Sequence, residues 1–494
     1  MQRCEVLLYS PHFVDPRARG DAAYRAVPPL SHLALAGPLR EAGYDVRILD
    51  AKWDSDWKRE VRERAGRLVC AGVTSLTGPA VQDGLQFSAY VKSVAPEVPL
   101  LWGGWHASFA AQQAIEDPRV DVVVRGMGER TIVEVVNALA SKNSLHGIAG
   151  ILFRDGDRVV STPERPAEDI NHFPPPAYDL IDPRRYIHNV RPGVRLANTI
   201  YSRGCPFACD FCLDSRNKWL GLSIDRMIAD IELWIAYGAN HLRFYDGNFF
   251  LGKPRLVEFA NAILERGLEQ KFRWMATAVG NRVVQMDDEL LDLLRRAGLK
   301  QMAIGAESGS DELLQRITNK TTVENTLEAI RRLTRHDINQ YLFFMVGYPG
   351  EPEDALERTL DLAFAAKKIN PQVGLYLNFT TPLPGSEVFR IAVERGEVQE
   401  PRKFEEWARF DYMKPNLANI GKRYVEQVNR FQKYLHLAFP EDDSRIQYRS
   451  TLKVMSGPVR KLARWRLDRK FYGWPVELGA FEMLRSVRRA IGKS

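Results

Sequence analysis

No apolar run in this chain reaches the roughly 18 to 20 residues that a bilayer span requires. The opening residues, Met1-Gln-Arg-Cys-Glu5, lack the layout of a signal peptide, so a cytoplasmic protein is expected. Cysteine is scarce, with five residues in 494, and the odd number argues for a reducing compartment and against a disulfide framework. No second cysteine pair stands ready to close a four-ligand zinc site, because Cys4 and Cys70 sit far away in apolar runs. No Gly-x-Gly-x-x-Gly follows the first apolar run, which disfavours an ordinary dinucleotide-binding domain. A net basic excess is missing from most of the chain as well. The net charge is +7, yet Arg445 to Ser494 alone carry 13 Lys/Arg against 3 Asp/Glu. The remainder is slightly acidic, so no nucleic-acid partner is expected.

What is present is a tight group of three cysteines. Cys205, Cys209 and Cys212 lie in Tyr201-Ser-Arg-Gly-Cys-Pro-Phe-Ala-Cys-Asp-Phe-Cys212. Three soft thiolates at this spacing on a short loop can hold three corners of one iron–sulfur cube. Such a cube keeps one iron open for a small molecule. The length of 494 residues exceeds one ordinary core, so two or three domains are expected around this loop.

Short apolar runs at 6–9, 46–49, 69–73, 99–102 and 120–124 alternate with helix patterns at 29–42, 81–94 and 131–139. This alternation predicts a doubly wound α/β domain over residues 1–145. Ligands of such sheets bind beyond the carboxyl ends of the strands. There stand Thr74-Ser-Leu-Thr-Gly-Pro79, Gly103-Gly-Trp-His-Ala-Ser108 and Arg125-Gly-Met-Gly-Glu129. Residues 146–194, rich in proline from Pro163 onward, read as a linker that wraps one domain against the next. Strands are then expected at 196–201, 241–245, 272–277, 301–306, 340–346 and 373–379. Helices at 224–237, 255–266, 289–297, 322–334 and 353–368 fall between them. These βα units predict a partial barrel over 195–400, with chemistry at the carboxyl ends of its strands. A mainly helical, basic region, 401–494, follows. Its aromatics Phe404, Trp407, Phe410 and Tyr412 are expected to pack.

The cysteine triplet directly after a first barrel strand, with Phe211 before the last cysteine, resembles the radical SAM signature. The resemblance implies a [4Fe–4S] cluster on Cys205, Cys209 and Cys212 whose open iron chelates S-adenosylmethionine (SAM). One electron would then release a 5′-deoxyadenosyl radical. Gly305-Ala-Glu-Ser-Gly-Ser310 resembles the family's GxESG element and implies SAM contacts from Glu307 and Ser308. Gly347-Tyr-Pro-Gly-Glu351 resembles its adenine-side turn and implicates Gly347 and Pro349. Asp246 and Asn248 occupy the place of an acidic or D-x-N pair near the SAM amino group. Thr381-Pro-Leu-Pro-Gly-Ser386 matches a further turn of the family.

The N-terminal loops together resemble the cobalamin-binding (B12-binding) domain that precedes many radical SAM domains. The resemblance implies corrinoid contacts from Ser75, Thr77, Gly103, Gly104, Trp105, His106, Gly126, Gly128 and Glu129. The DxHxxG motif, whose histidine ligates cobalt, is absent, and His12 lies in an unrelated loop. Cobalamin held without a histidine ligand is therefore expected, with His12 and His106 as loop or supporting residues.

The family likeness implies a cobalamin-dependent radical SAM C-methyltransferase that uses methylcobalamin on an unactivated carbon of a small or lipid-like metabolite. An electron donor such as flavodoxin or ferredoxin would serve it. The alternative is a non-methylating radical reaction on the same architecture, such as an oxidative cyclisation. A tRNA methylthiotransferase would carry further cysteines and an RNA-binding appendage, and a cobalamin sensor would not need the triplet. In the basic tail, Val459, Leu462, Trp465 and Phe471 form an apolar stripe among arginines. It reads either as a helix capping the barrel or as a peripheral membrane contact.

Overall fold

The computed structural model describes residues 4–12, 27–317, 321–411, 414–439, 457–473, 475, 477 and 478. Tyr412, Trp474 and most of the basic tail lie outside the described residues, as does most of the loop after the first strand. Two compact units emerge. The first comprises 1–249, 261–274 and 381–414, and the second 250–260, 275–380 and 415–494.

The first unit begins with a seven-stranded sheet ordered β2-β1-β3-β4-β5-β6-β7. Its strands are β1 (Glu5–Ser10), β2 (Asp45–Asp50), β3 (Leu68–Thr74), β4 (Leu100–Gly103), β5 (Val122–Val124), β6 (Ile151–Asp155) and β7 (Arg158–Ser161). The first five pair in parallel. Helices Leu30–Glu41, Pro79–Val94 and Glu129–Ser141 alternate with them, which accounts for strands that are apolar on both faces. Leu7, Tyr9, Val73 and Trp102 are fully buried or nearly so, and Tyr9 stacks on Phe87 at 4.1 Å. The chain order reverses between β1 and β3, the place where such sheets open a crevice. Phe404, Trp407 and Phe410 pack into this same core, as expected for that aromatic group.

Part of the expected linker is structured. β6 and β7 form an antiparallel hairpin on the edge of the sheet. The proline-rich stretch then runs through single 3-10 turns and is tied down at both ends. Tyr186 donates to Asp50 at 2.8 Å, Ala177 N–H to the Leu33 carbonyl at 3.1 Å, and Arg226 to the Ile170 carbonyl at 3.1 Å.

A second seven-stranded sheet has the order β16-β15-β14-β13-β12-β9-β8. Its strands are β8 (His188–Arg191), β9 (Val194–Thr199), β12 (His241–Phe244), β13 (Arg273–Val279), β14 (Leu299–Glu307), β15 (Asn339–Val346) and β16 (Gly374–Phe379). β9 and β12 pair in parallel, as do β14 with β15 and β15 with β16. The sheet ends on two different strands, so it is an open, partial barrel. The short pair β10 (Ser202–Arg203) and β11 (Leu220–Gly221) brackets the cysteine loop. In the second unit, helix Lys422–Ala438 carries helix Pro458–Asp468 on its flank.

Candidate functional site

The loops that carry the expected residues lie at the strand ends of the two sheets. The cysteine loop leaves β10 and returns through β11. Its backbone is closed by Cys205 N–H on the Asp214 carbonyl at 3.1 Å and by Cys212 N–H on the Cys209 carbonyl at 3.2 Å. The Ser215 hydroxyl donates to the carbonyls of Cys209 and Cys212 at 3.1 and 2.5 Å. None of the three cysteines is in a disulfide, and all are half-buried. Burial pushes the Cys205 thiol up and the Cys212 thiol to about 11. A thiol in such surroundings becomes a thiolate through a bound cation. Among the described residues no three side chains converge on a single-ion point, and a four-iron cube spaces its thiolates more widely than one ion does.

Asp246 and Asn248, at the carboxyl end of β12, have different environments. The Asp246 carboxylate accepts from Tyr201 N–H at 3.2 and 3.3 Å and from the Ser202 hydroxyl, so it anchors the chain entering the cysteine loop. Asn248 is 1% exposed, and neither its amide nitrogen nor its oxygen has a partner among the described residues. A buried carboxamide left open on both atoms is costly unless a ligand completes it. This fits the amino and carboxylate groups of SAM. Phe211 is half-exposed on the loop itself.

The loops of the first sheet interlock. Ser75 N–H donates to the Gly103 carbonyl and His106 N–H to the Ser75 carbonyl, both at 3.1 Å. Gly104 has φ +85°, and a Cβ there would strike the Thr74 hydroxyl. Buried His106 holds the Thr77 hydroxyl at 3.0 Å through Nδ1 and stacks on Phe404 at 5.1 Å. Burial drives its imidazole down to about 3, so it is neutral. Trp105 stays exposed and stacks on Phe109. The Gly126 N–H donates to the Ser108 hydroxyl at 3.2 Å, with open space beside its α-carbon, and Gly128 leads into helix Glu129–Ser141. Four buried polar atoms on these loops have no partner among the described residues: Ser75 Oγ, His106 Nε2, Arg125 Nε and Glu129 Oε2. A ligand rich in amides, such as a corrinoid, matches that set. Glu129 Oε1 is ion-paired with Arg203, two positions before Cys205.

In the second unit, Glu307 closes β14. The pairing register with β15 shifts at Gly305/Glu307, and Glu307 takes φ +57°. Bulges and left-handed non-glycine residues gather where a side chain must be re-aimed. Its carboxyl folds back over Gly305, where a Cβ would collide with Oε1. Protein surrounds it, with part of its surface left to water, and burial raises it to about 8. The Ser308 hydroxyl lies 3.3 Å from the Thr359 hydroxyl and accepts from Ser310 N–H at 3.1 Å. The turn after β15 buries Gly347 and Pro349. Glu351 holds that turn, accepting from Tyr348 N–H at 3.0 Å and the Tyr424 hydroxyl at 2.8 Å. Arg203 and Glu351 lie within the motifs given above and Ser215 lies three positions past Cys212, and nothing in the sequence marks the role of any of them.

Residues 199–363 match the profile of the Radical SAM superfamily, and residues 16–136 match that of the B12 binding domain. An uncharacterized methyltransferase of Pyrococcus horikoshii is 29% identical over 83% of this chain and 87% of its own. The anaerobic magnesium-protoporphyrin IX monomethyl ester cyclase of Cereibacter sphaeroides is 29% identical over 85% of this chain and 69% of its own. Among solved structures, the cobalamin-dependent S-adenosylmethionine radical enzyme OxsB superposes with a TM-score of 0.70 at 17% identity. That match covers 98% of this chain and 75% of the other, and it speaks for the fold.

Proposed function

The chain belongs to the cobalamin-dependent radical SAM enzymes, and from that premise we propose that it is a C-methyltransferase acting on an unactivated carbon of a small or lipid-like metabolite. When bound, the cluster with SAM supplies one-electron chemistry for hydrogen abstraction, and cobalamin supplies a methyl carrier. Cys205, Cys209 and Cys212 would hold the cluster. Asp246 steadies the backbone that presents them, while Asn248 would bind the polar end of SAM; in the second unit, Glu307 is the residue that the family likeness assigns to SAM. Ser75, His106 and Glu129 would meet the corrinoid's polar rim. Leu76, Trp105, Ile200 and Tyr245 are large apolar side chains left 36 to 43% exposed at strand ends of the two sheets. They suit a hydrophobic cofactor face or substrate.

The observation that carries the reading is the Glu129–Arg203 ion pair. It joins a loop of the B12-binding sheet to the strand that delivers the cysteines, so methyl carrier and radical source are served by one compact unit. A reductant such as flavodoxin or ferredoxin would feed the cluster. A second reading, a non-methylating radical reaction, draws on the likeness to the cyclase. Product analysis separates the two. A methyltransferase yields S-adenosylhomocysteine beside 5′-deoxyadenosine, whereas 5′-deoxyadenosine alone would sink the methyltransferase reading.

The tail also bears on the substrate. Helix Pro458–Asp468 buries Ala463, Arg466 and Leu467 and turns Leu462 and Trp465 outward, 39% and 50% exposed, with Phe471 at 43%. Lys461 and Arg469 flank them, both exposed. This face suits an anionic bilayer, which favours a lipid-like substrate.

A further inference from the structure

The Glu129 carboxylate is 3% exposed and unequally used. Oε1 is paired with the Arg203 guanidinium, whereas Oε2 is buried without a partner among the described residues. Glu129 opens helix Glu129–Ser141 directly behind the Arg125-Gly-Met-Gly turn, and Arg203 stands on β10, whose next loop carries Cys205. A buried acceptor without a partner among the described residues calls for an N–H or O–H donor. Water-soluble donors of that kind line the rim of a corrinoid as primary carboxamides, so the donor is the cofactor itself. This step rests on the cobalamin assignment.

We infer that Glu129 couples the two cofactor sites. One oxygen accepts from a carboxamide of bound cobalamin, and the other holds Arg203 in place and with it the entry to the cysteine loop. Glu129 and Arg203 are positioning residues; neither touches the reacting carbon. Arg203 is 40% exposed on its side chain and has other conformations open to it when Glu129 is not fixed. Occupying the corrinoid site therefore restricts the cysteine loop, and an assembled cluster restricts Glu129. Linkage makes the two effects equal in size.

The test is a spectral titration of the full chain with hydroxocobalamin, with the cluster reconstituted and in a cluster-free Cys209→Ala chain. The wild-type chain is expected to bind at least fivefold tighter with the cluster present, within the usual range for coupled sites. In Arg203→Ala the two affinities should converge, and Arg203→Lys should retain part of the difference. Reciprocally, cobalamin should slow chelator extraction of iron from the wild-type cluster by a similar factor, and not from Arg203→Ala. Should Arg203→Ala not fold, Arg203→Lys and Glu129→Gln decide, each expected to shrink the ratio at least twofold. An undiminished ratio in these variants, or equal wild-type affinities, overturns the coupling while leaving the cofactor assignment standing. A wild-type chain that binds no cobalamin in either form overturns the assignment itself.

Discussion

Glu307 combines a left-handed backbone with a carboxyl held at about 8 by burial. Both features cost stability in the free protein and are tolerated where a charged ligand offsets them. The sign follows from the two states. Unfolded, the carboxyl titrates near 4.5; folded, near 8. The protonated group is at home in the fold below pH 4.5, and stability is lost as pH rises toward 8, then levels off. Glu307→Gln removes that loss, which is on the order of 2–4 kcal/mol when fully developed. Without SAM, the variant should melt several degrees above wild type at pH 8 and alongside it at pH 4.5, while SAM affinity falls at least tenfold. Calorimetric melting at the two pH values with a SAM titration checks this, and a variant that melts like wild type at pH 8 would count against it. A cationic ligand favours the ionised carboxylate, so SAM binding should also release a proton below pH 8.

At the level of elements, the motif Gly305-Ala-Glu-Ser-Gly-Ser310 acts as a strap. A Cβ at Gly309 would collide with the Arg358 carbonyl, so only glycine lets this turn lie against helix Ala355–Ile369. The Thr359 hydroxyl then reaches Gly309 N–H at 2.9 Å. Gly309→Ala forces the turn off the helix and should destabilise the second unit by about 1–3 kcal/mol. Thermal melting read with hydrogen exchange at 308–310 and 358–360 tests it; unchanged protection there would show that the contact is dispensable.

The parallel strands were legible in the sequence because strands covered on both faces are uninterrupted apolar runs, as in Val6 to Tyr9 and Val69 to Val73. The hairpin β6–β7 was not recognised, although Asp155-Gly-Asp157 between apolar runs is a hairpin signal. Its edge position leaves Val159 36% exposed and blurs the alternation. Among site residues, motif spacing located the loops but could not say how each polar group is used. Asp246 and Asn248 read alike in sequence, yet Asp246 is occupied by Tyr201 and Ser202 while Asn248 is left open. Ser308 reads as a ligand residue, and its hydroxyl lies 3.3 Å from that of Thr359. Only tertiary partners make that distinction.

At the scale of the whole molecule, charge and apolar exposure coincide in one place. Thirteen of the 69 Lys/Arg fall within Arg445 to Ser494, and the described part of that stretch holds Leu462, Trp465 and Phe471 outward. No described helix is long and apolar enough to cross a membrane. An interfacial contact needs less: a few large apolar groups, each worth roughly 1.5–3 kcal/mol on burial, and cations worth about 1 kcal/mol apiece near an anionic surface. The full chain is therefore expected to sediment with phosphatidylglycerol-containing vesicles and to remain in solution with pure phosphatidylcholine. Raising the ionic strength should weaken the binding as the cationic part is screened. Trp465→Ala should weaken it about tenfold or more without altering the melting temperature, since half of that side chain already faces water. Lys461→Glu with Arg469→Glu should act mainly at low salt. If these variants instead change only the oligomeric state seen by light scattering, the face joins two copies of the chain. Equal binding to both vesicle types would remove the electrostatic half of the argument, and with it the structural reason to look for substrate at a bilayer.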